Sequence, residues 1–563
     1  AGHPEFGITP GVETTTGPLG QGISNAVGMA IAEKVLASSF NTEEHKIIDH
    51  MTYVFTGDGC LMEGISHEAC SLAGTLGLGN LIAIYDDNDI SIDGNVEGWF
   101  TEDIPRRFEA YGWEVIPNID GHNPDEIDSA IQKAKSNKDK PTLICCKTII
   151  GKGSPNMAGT ASAHGAIVNP EEIALTRNEL NWENDPFDIP KEVYDDWDSR
   201  ESGKLQEEAW EKIFQDYSEE NPELSSELKR IIAGKLPDGI EESIYSYVET
   251  VQKDLPKMAT RVSSQKILNV LGPLIPELLG GSADLTGSNN TNWEGTKAIR
   301  ADDFLGNYIN FGVREFGMTG IMNGMVLHGG LKPYGGTFLT FLDYARNAVR
   351  MAALMQIQTI LIYSHDSIGV GEDGPTHQPV EHLTNLRTTP NLETWRPCDT
   401  SETAISWLAA LENSSKPTAL ILSRQGLPNF ERNKSQVDSI KKGAYILHEP
   451  EVEPELIFIA TGSEVELAMA VAEEVKDRTP VRVVSMPCSE RFDSQSEDYQ
   501  ESVLGRGIKR VAIEASHADW WRKYVGLEGD VIGMDSFGES APGGVLFEHF
   551  GFTKEHIISR LGL

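Results

Sequence analysis

Residues 51–88 constrain the chain most. Met51 to Thr56 (MTYVFT) is an apolar run of strand length, Gly57-Asp58-Gly59 interrupts it, Glu63 to Gly77 has a helical pattern, and Asn80 to Tyr85 (NLIAIY) is a second apolar run. A strand, a turn, a helix and a strand in that order predict a βαβ crossover with its two strands parallel. Strands that are apolar at nearly every position are buried on both faces, as in α/β domains. The crossover sends Asp58 and Asn88 to the carboxyl ends of two strands on one edge of the sheet, where such sheets bind ligands. An acid and an amide oxygen there suit a hard divalent cation such as Mg2+ or Ca2+, and Mg2+ completes its shell with waters and phosphate oxygens. A metal holding a diphosphate is one reading. A plain Gly-Asp-Gly turn followed by an acidic loop, Asp86-Asp87-Asn88-Asp89, is the other, and this stretch alone leaves both open.

The same alternation continues. Leu19 to Phe40 is a helix candidate with Ile23, Ala26, Val27, Ala30 and Ile31 on one face, Pro124 to Lys135 is an amphipathic helix, and Thr142 to Thr148 is a further β run. Residues 1–190 therefore read as a doubly wound α/β domain. Residues 191–257 read as an acidic helical connection, in a region where Trp197, Trp210 and Phe214 are spaced as packing anchors. Residues 258–430 form a second α/β domain, with β runs at Thr359 to Tyr363 and Thr418 to Leu422 and helices at Arg314 to His328 and Phe341 to Met355. Residues 440–563 form a third, smaller one, with strands Leu456 to Ala460 and Val481 to Val484 around a helix that Ser463 is expected to cap.

Charge narrows the partners. Across 563 residues, 47 Lys and Arg against 86 Asp and Glu leave a formal charge of −39, which opposes nucleic acid and anionic membranes. An anionic substrate would need local Arg and His clusters to overcome that field. Six cysteines without CxxC or zinc spacing fit a reducing cytoplasm, and no apolar run is long enough to cross a bilayer.

Three blocks are dense in glycine and in groups that can do chemistry. Gly11 to Gly22 (GVETTTGPLGQG) leads into the first helix and Gly151 to Gly165 (GKGSPNMAGTASAHG) follows the Thr142 strand. Both read as ligand loops, because glycine lets backbone N–H groups approach phosphate. Ser364 to Pro379 (SHDSIGVGEDGPTHQP) follows a buried strand and holds His365, Asp366, Glu372, Asp373 and His377. Glu315 lies in FGVREFGM, whose apolar neighbours would desolvate its carboxyl group and raise its pKa. A solvated Glu at a helix start is the alternative.

The words GHPE, GVETTTGPLGQG, GDGCLMEGISHEA, DDNDISIDG, GSPN, GGSADL, GVREFGM, SHDSIGVGEDGPTHQP and GESAP stand in the order in which the transketolase family carries them, and the resemblance spans essentially the whole chain. It implies a thiamine diphosphate enzyme with diphosphate-binding, pyrimidine-binding and C-terminal domains, in a homodimer whose active sites lie at the subunit interface. It implies one divalent cation per site, Mg2+ or Ca2+, on Asp58, the Asn88 side chain and the Ile90 carbonyl. Gly17, Leu19, Gly59, Asn88, His164 and Asp284 would contact the cofactor, with Phe338, Phe341 and Tyr344 forming an aromatic pocket for its pyrimidine. Read without the resemblance, these three aromatics are equally good core residues of one helix. Glu315 would bond the pyrimidine N1' and favour the tautomer that takes the thiazolium C2 proton. The carbanion then attacks a ketose, and a two-carbon unit passes to an aldose.

On the substrate side the resemblance puts His3, His164, His365, Asp373 and His377 around the sugar, and Arg261, Ser288, His365 and Arg424 near its phosphate. His377, His3 and His164 would take part in catalysis alongside Glu315, with His377 and His3 handling protons on the sugar. Sugar phosphates such as xylulose 5-phosphate and ribose 5-phosphate, in the pentose phosphate pathway, are the expected substrates. A dihydroxyacetone synthase-like enzyme and a non-catalytic relative are the alternatives. The family also carries a segment before GHPE with two histidines of the site. A protein truly beginning at Ala1 is expected to bind cofactor poorly and turn over slowly.

Overall fold

Residues 51–88 fold as the crossover their pattern dictates. In the computed structural model, which describes residues 2–563, the strands Thr52–Gly57 and Leu81–Asp87 are parallel neighbours, with Gly57 opposite Asp86. Two helices join them, Asp58–Met62 and Gly64–Thr75, where the sequence suggested one. Glu63 lies between them in extended backbone (φ −63°, ψ 134°), so Asp58 opens a separate first turn at the end of its strand.

The chain divides into two units. One comprises Ala1–Ala233, Arg300–Leu305 and Leu327–Gly330, and the other Gly234–Ile299, Gly306–Val326 and Leu331–Leu563. The first unit holds a four-stranded parallel sheet in the order Thr52–Gly57, Leu81–Asp87, Thr142–Lys147, Glu114–Asp120. The helix Gln21–Phe40 is buried nearly all round and not on one face alone, with Gln21, Ser24, Asn25 and Glu33 enclosed beside its apolar residues. The helices Arg200–Glu220 and Pro222–Ile232 close the unit. Trp210 donates its indole N–H to Ile47 O at 2.9 Å and stacks on Phe214 with centroids 4.9 Å apart. Trp197, expected as a third anchor, is 84% exposed. It ends the short helix Lys191–Trp197, none of whose residues is buried. The third anchor is Tyr217, fully buried, whose hydroxyl donates to Phe40 O at 2.8 Å.

Glu33 gives this unit a measurable pH response. It is 5% exposed, and its Oε2 accepts from Asn80 Nδ2 at 2.8 Å. Burial pushes its pKa up to about 7. The folded state therefore holds this proton more tightly than the unfolded chain, and stability falls as pH rises from the ordinary carboxylate range through about 7. Glu33→Gln should remove that decline and stabilise the protein at pH 8 by up to about 3 kcal/mol. Thermal unfolding of both proteins from pH 5 to pH 8 tests this, and parallel profiles would contradict it.

The second unit contains two further sheets. A six-stranded parallel sheet runs Glu393–Trp395, Thr418–Leu422, Ile360–Ser364, Lys332–Phe338, Leu278–Ser282, Tyr308–Asn310. A five-stranded sheet runs Tyr445–His448, Val481–Ser485, Leu456–Ala460, Lys509–His517, Asp530–Met534, with only the first strand antiparallel. One apolar core, including Tyr334, Trp395, Trp407, Tyr445 and Phe458, runs through both. The helix Glu464–Val475 begins after Ser463, but Ser463 does not cap it. Its hydroxyl donates sideways to Glu464 Oε1 at 2.6 Å. Among the described residues, no helix is long and apolar enough to cross a membrane.

Candidate active site

The metal-binding residues expected from the sequence gather at the carboxyl ends of the first sheet. Asp58 is 4% exposed and starts its helix directly after the strand Thr52–Gly57. Its Oδ1 accepts from the Tyr85 hydroxyl, while its Oδ2 is buried with no partner among the described residues. Burial raises its pKa, the Tyr85 bond works against that, and the charges of Asp87, Asp89 and Asp86 add to the rise. A desolvated carboxylate oxygen without a donor, amid three more carboxylates, is a costly arrangement that a divalent cation would relieve. Asn88 follows the strand Leu81–Asp87, and its Oδ1 accepts from Ile90 N–H at 3.0 Å. An amide oxygen has a second lone pair for a metal. Asp89 adopts φ 58°, which turns the chain back so that Ile90–Ser91 pairs with Gly94–Asn95. The donor set, one carboxylate with amide and backbone oxygens, leaves room for phosphate oxygens and suits Mg2+ or Ca2+.

Flanking groups steady this corner. Lys147, at the end of its strand, pairs with Asp87 at 2.8 Å, and Thr148 donates to Asp86 Oδ1. A methyl on Gly59 would approach Leu19 Cδ1 at 3.0 Å, and one on Gly17 would lie 3.8 Å from His3 Nδ1, so the glycine-rich loop packs along the Asp58 turn and His3 lies over the loop. His3 and His164 are exposed, the latter just after the turn Ala161–Ala163.

A second cluster forms in the other unit, at the carboxyl ends of the adjacent strands Lys332–Phe338 and Ile360–Ser364, where Phe338 and Ser364 are opposite one another. Phe338 ends its strand, Phe341 lies in a 3-10 turn and Tyr344 in the first turn of the helix Leu342–Met355, so they do not form one helix face. Phe338 stacks on Phe341 at 5.7 Å and on His365 at 3.7 Å between centroids, and His377 meets Phe341 edge-on at 5.4 Å. Tyr344 leans on Phe341 at 5.9 Å but is 65% exposed.

His365 is the most perturbed group in this cluster. It is 4% exposed with φ 62°. A buried chain runs from its Nδ1 to Ser364 Oγ at 2.8 Å, and from that hydroxyl to Asn289 Oδ1 at 2.6 Å. Burial, and after it the charges of Arg261, Arg424 and His377, push its pKa down to about 3. This is the local cationic patch that a chain of charge −39 needs to hold an anion. Arg261 donates to the Ser288 carbonyl and keeps its Nε buried without a partner among the described residues; Arg424 is exposed. Asp373 and Asp284 are exposed, Asp284 at φ 60°. Glu315 is the first residue of the helix Glu315–His328 and only 7% exposed, and burial raises its pKa. It is therefore not a solvated helix-start carboxylate.

Sequence reasoning missed Tyr85, Lys147 and Asn289. Tyr85 ends the NLIAIY run and could have been found as its one aromatic residue, since a buried tyrosine hydroxyl seeks a partner. The other two carry no signal until the strands are aligned.

Family models match almost the whole chain. Residues 1–237 match the transketolase thiamine diphosphate binding domain, residues 256–429 the transketolase pyrimidine binding domain, and residues 443–553 a transketolase-like C-terminal domain. Transketolase 2 of Vibrio parahaemolyticus serotype O3:K6 is 60% identical over 560 residues, 99% of this chain and 84% of that protein. Transketolase 1 of Vibrio cholerae is 57% identical over 561 residues, with the same coverage. Among solved structures, transketolase from Leishmania mexicana superposes with a TM-score of 0.93 at 42% identity, covering 99% of this chain and 82% of that one. A transketolase complex with sedoheptulose-7-phosphate from Pichia stipitis gives 0.93 at 41% identity, with the same coverage. The parallel α/β units and their binding domains define a thiamine diphosphate-dependent transferase. The chain belongs to the transketolase family. Its function is that of a transketolase, with its general role in the pentose phosphate pathway.

Proposed function

We propose that the protein moves a two-carbon ketol unit from a ketose phosphate such as xylulose 5-phosphate to an aldose phosphate such as ribose 5-phosphate, in the cytoplasm, as a homodimer. In this reading residues 1–190 hold the diphosphate and its cation, residues 191–257 connect, residues 258–430 hold the pyrimidine and residues 440–563 form the C-terminal domain. Asp58 Oδ2, Asn88 Oδ1 and the Ile90 carbonyl hold one Mg2+ or Ca2+, and Gly17, Leu19, Gly59, His164 and Asp284 line the cofactor. Thiamine diphosphate, when bound, supplies the nucleophilic carbon and the electron sink that ketol transfer requires. Glu315 would bond the pyrimidine end, where its burial and raised pKa favour the protonated form that such a bond needs. Phe338 and Phe341 exclude water from that end, with Tyr344 at its rim. Asp58 and Glu315 belong to different units, and the dimer lets two subunits contribute one each to a site. Six free cysteines, five of them buried, suit the reducing compartment.

Substrate recognition rests chiefly on one observation, the buried His365 ring amid Arg261, Arg424 and His377. Arg261, Arg424, Ser288 and neutral His365 bind the sugar phosphate, while His3, His164, Asp373 and His377 bind hydroxyls and move protons on the sugar. A charge-assisted hydrogen bond contributes about 1.5–3 kcal/mol. Arg261→Ala and Arg424→Ala should therefore each raise KM for a phosphorylated ketose about 10–100-fold with little change in kcat. Steady-state kinetics with phosphorylated and unphosphorylated ketoses test this, and equal effects on both would contradict the phosphate assignment.

A further inference from the structure

The C-terminal domain grips the loop of residues 364–379, and Gln378 is where it does so. Gln378 is 2% exposed. Its Nε2 donates to two carbonyls, Gly371 O at 2.7 Å within the loop and Glu539 O at 2.9 Å in the C-terminal domain. The first bond closes the segment that carries Asp373 and His377, which is wound by Gly374 N–H to Gly371 O at 3.1 Å and His377 N–H to Gly374 O at 3.0 Å. The second ties that segment to Gly538-Glu539-Ser540-Ala541-Pro542.

The fit leaves no space. A methyl on Gly538 would overlap Gln378 Oε1, one on Gly374 would overlap Ser540 Oγ, and one on Gly371 would lie 3.3 Å from Gly543 N. The loop is anchored at both ends as well. Asp366 Oδ2 accepts from Arg396 at 2.8 Å, and Arg396 also pairs with Glu464 and Glu514 of the C-terminal domain. Val380 O accepts from His517 N–H at 3.0 Å and from Ser516 Oγ at 2.7 Å.

We propose that Gln378 is a positioning residue for ketol transfer, through which the 538–542 segment of the C-terminal domain holds Asp373 and His377 in the geometry that receives the sugar. The proposal rests on the assignment of those two residues to the substrate. The position requires an amide, since its two donors meet two carbonyl oxygens and a carboxylate there would meet them with acceptors only. Errors of about 1 Å in such positioning cost on the order of 100-fold in rate.

The test uses the full-length holoenzyme and the variants Gln378→Ala, Gly538→Ala, the double variant and His377→Ala. Gln378→Ala and Gly538→Ala should each lower kcat/KM for a ketose phosphate about 10–100-fold, with thiamine diphosphate affinity near that of the parent and only a modest fall in Tm from the lost buried bonds and the added methyl. In the double variant the Gly538→Ala methyl has lost the oxygen it displaces, so the losses should not add. Additive losses, an unimpaired Gln378→Ala, or a loss matched by an equal loss of cofactor affinity would overturn the proposal. An unimpaired His377→Ala would remove the substrate assignment and the proposal with it, whereas an impaired His377→Ala beside an unimpaired Gln378→Ala overturns the proposal alone. Should Gly538→Ala fail to fold, Gln378→Ala decides by the same criteria.

Discussion

Glu315→Ala lowers kcat by about 10²–10⁴-fold, the range over which a positioned proton donor or acceptor acts, while the protein stays folded and still binds the diphosphate end of its cofactor. The carboxyl group is 7% exposed at the first residue of its helix, and burial raises its pKa. A buried acid of raised pKa contributes nothing to stability at neutral pH that alanine would lose through charge. Its removal should therefore leave Tm unchanged or slightly higher. Ketol transfer at saturating cofactor, read beside a thermal melt, separates the two effects. Activity equal to that of the parent would show that the proton on this side of the cofactor is handled elsewhere.

Asp58→Asn has the second large effect, and it changes sign with the ligand. The side chain keeps its shape and can still accept from Tyr85, but it no longer offers a charged oxygen where Asp58 Oδ2 lies buried without a partner. Since losing a partner that merely supports a metal ligand costs 10–100-fold, losing the ligand's charge should weaken cation-dependent cofactor binding more than about 100-fold. At cofactor concentrations near a hundred times the parent Kd, that removes most of the about 2.7 kcal/mol of ligand-induced stabilisation. Without ligand the variant should be the more stable protein at neutral pH. The Asp58 pKa is raised, so the folded state binds its proton more tightly than the unfolded chain, and the parent loses stability as pH rises through that window. Melting curves of both proteins, with and without thiamine diphosphate and Mg2+, read both effects. A parent and variant that respond identically to ligand would remove Asp58 from the site.

What the sequence made legible follows the physical character of each element. The strands Thr52–Gly57, Ile360–Ser364, Thr418–Leu422 and Leu456–Ala460 are apolar runs and were readable from hydrophobicity alone. Lys332–Phe338 was not, although it is paired on both sides in the middle of its sheet. Its proline and two glycines argue against a central strand. The glycines belong there because a methyl on Gly335 would lie 2.5 Å from Met322 Sδ, and one on Gly336 would lie 2.5 Å from Thr291 Cγ2. Only tertiary packing discloses that requirement. Trp197 shows the reverse error, since helical spacing marks a face without saying whether anything lies against it.

The site divides in the same way. Asp58 and Asn88 were legible because topology alone carries them to one edge of a parallel sheet. Glu315 was legible as a desolvated acid only through the apolar words around it. The cluster of Phe338, Phe341, His365 and His377 was not derivable from spacing, because its members come from a strand end, a 3-10 turn and a loop. His365 and His377 stood out in their glycine- and acid-rich loop, the family resemblance supplied Phe338 and Phe341, and the structure adds how burial and neighbouring cations keep His365 neutral beside them. The words GESAP carried no chemistry as sequence. In the fold they face the loop that holds Asp373 and His377.

Ketol transfer itself tests the central claim most directly. Purified protein is given xylulose 5-phosphate and ribose 5-phosphate, with thiamine diphosphate and Mg2+ added together, singly or not at all, and with a chelator. If the ketol unit moves from ketose to aldose through a cation-held cofactor, a seven-carbon ketose phosphate and a three-carbon aldose phosphate appear in equal amounts. They appear only with both additions, and the chelator abolishes them. Products formed at full rate by cofactor-free protein, or none from the fully loaded enzyme, would contradict it.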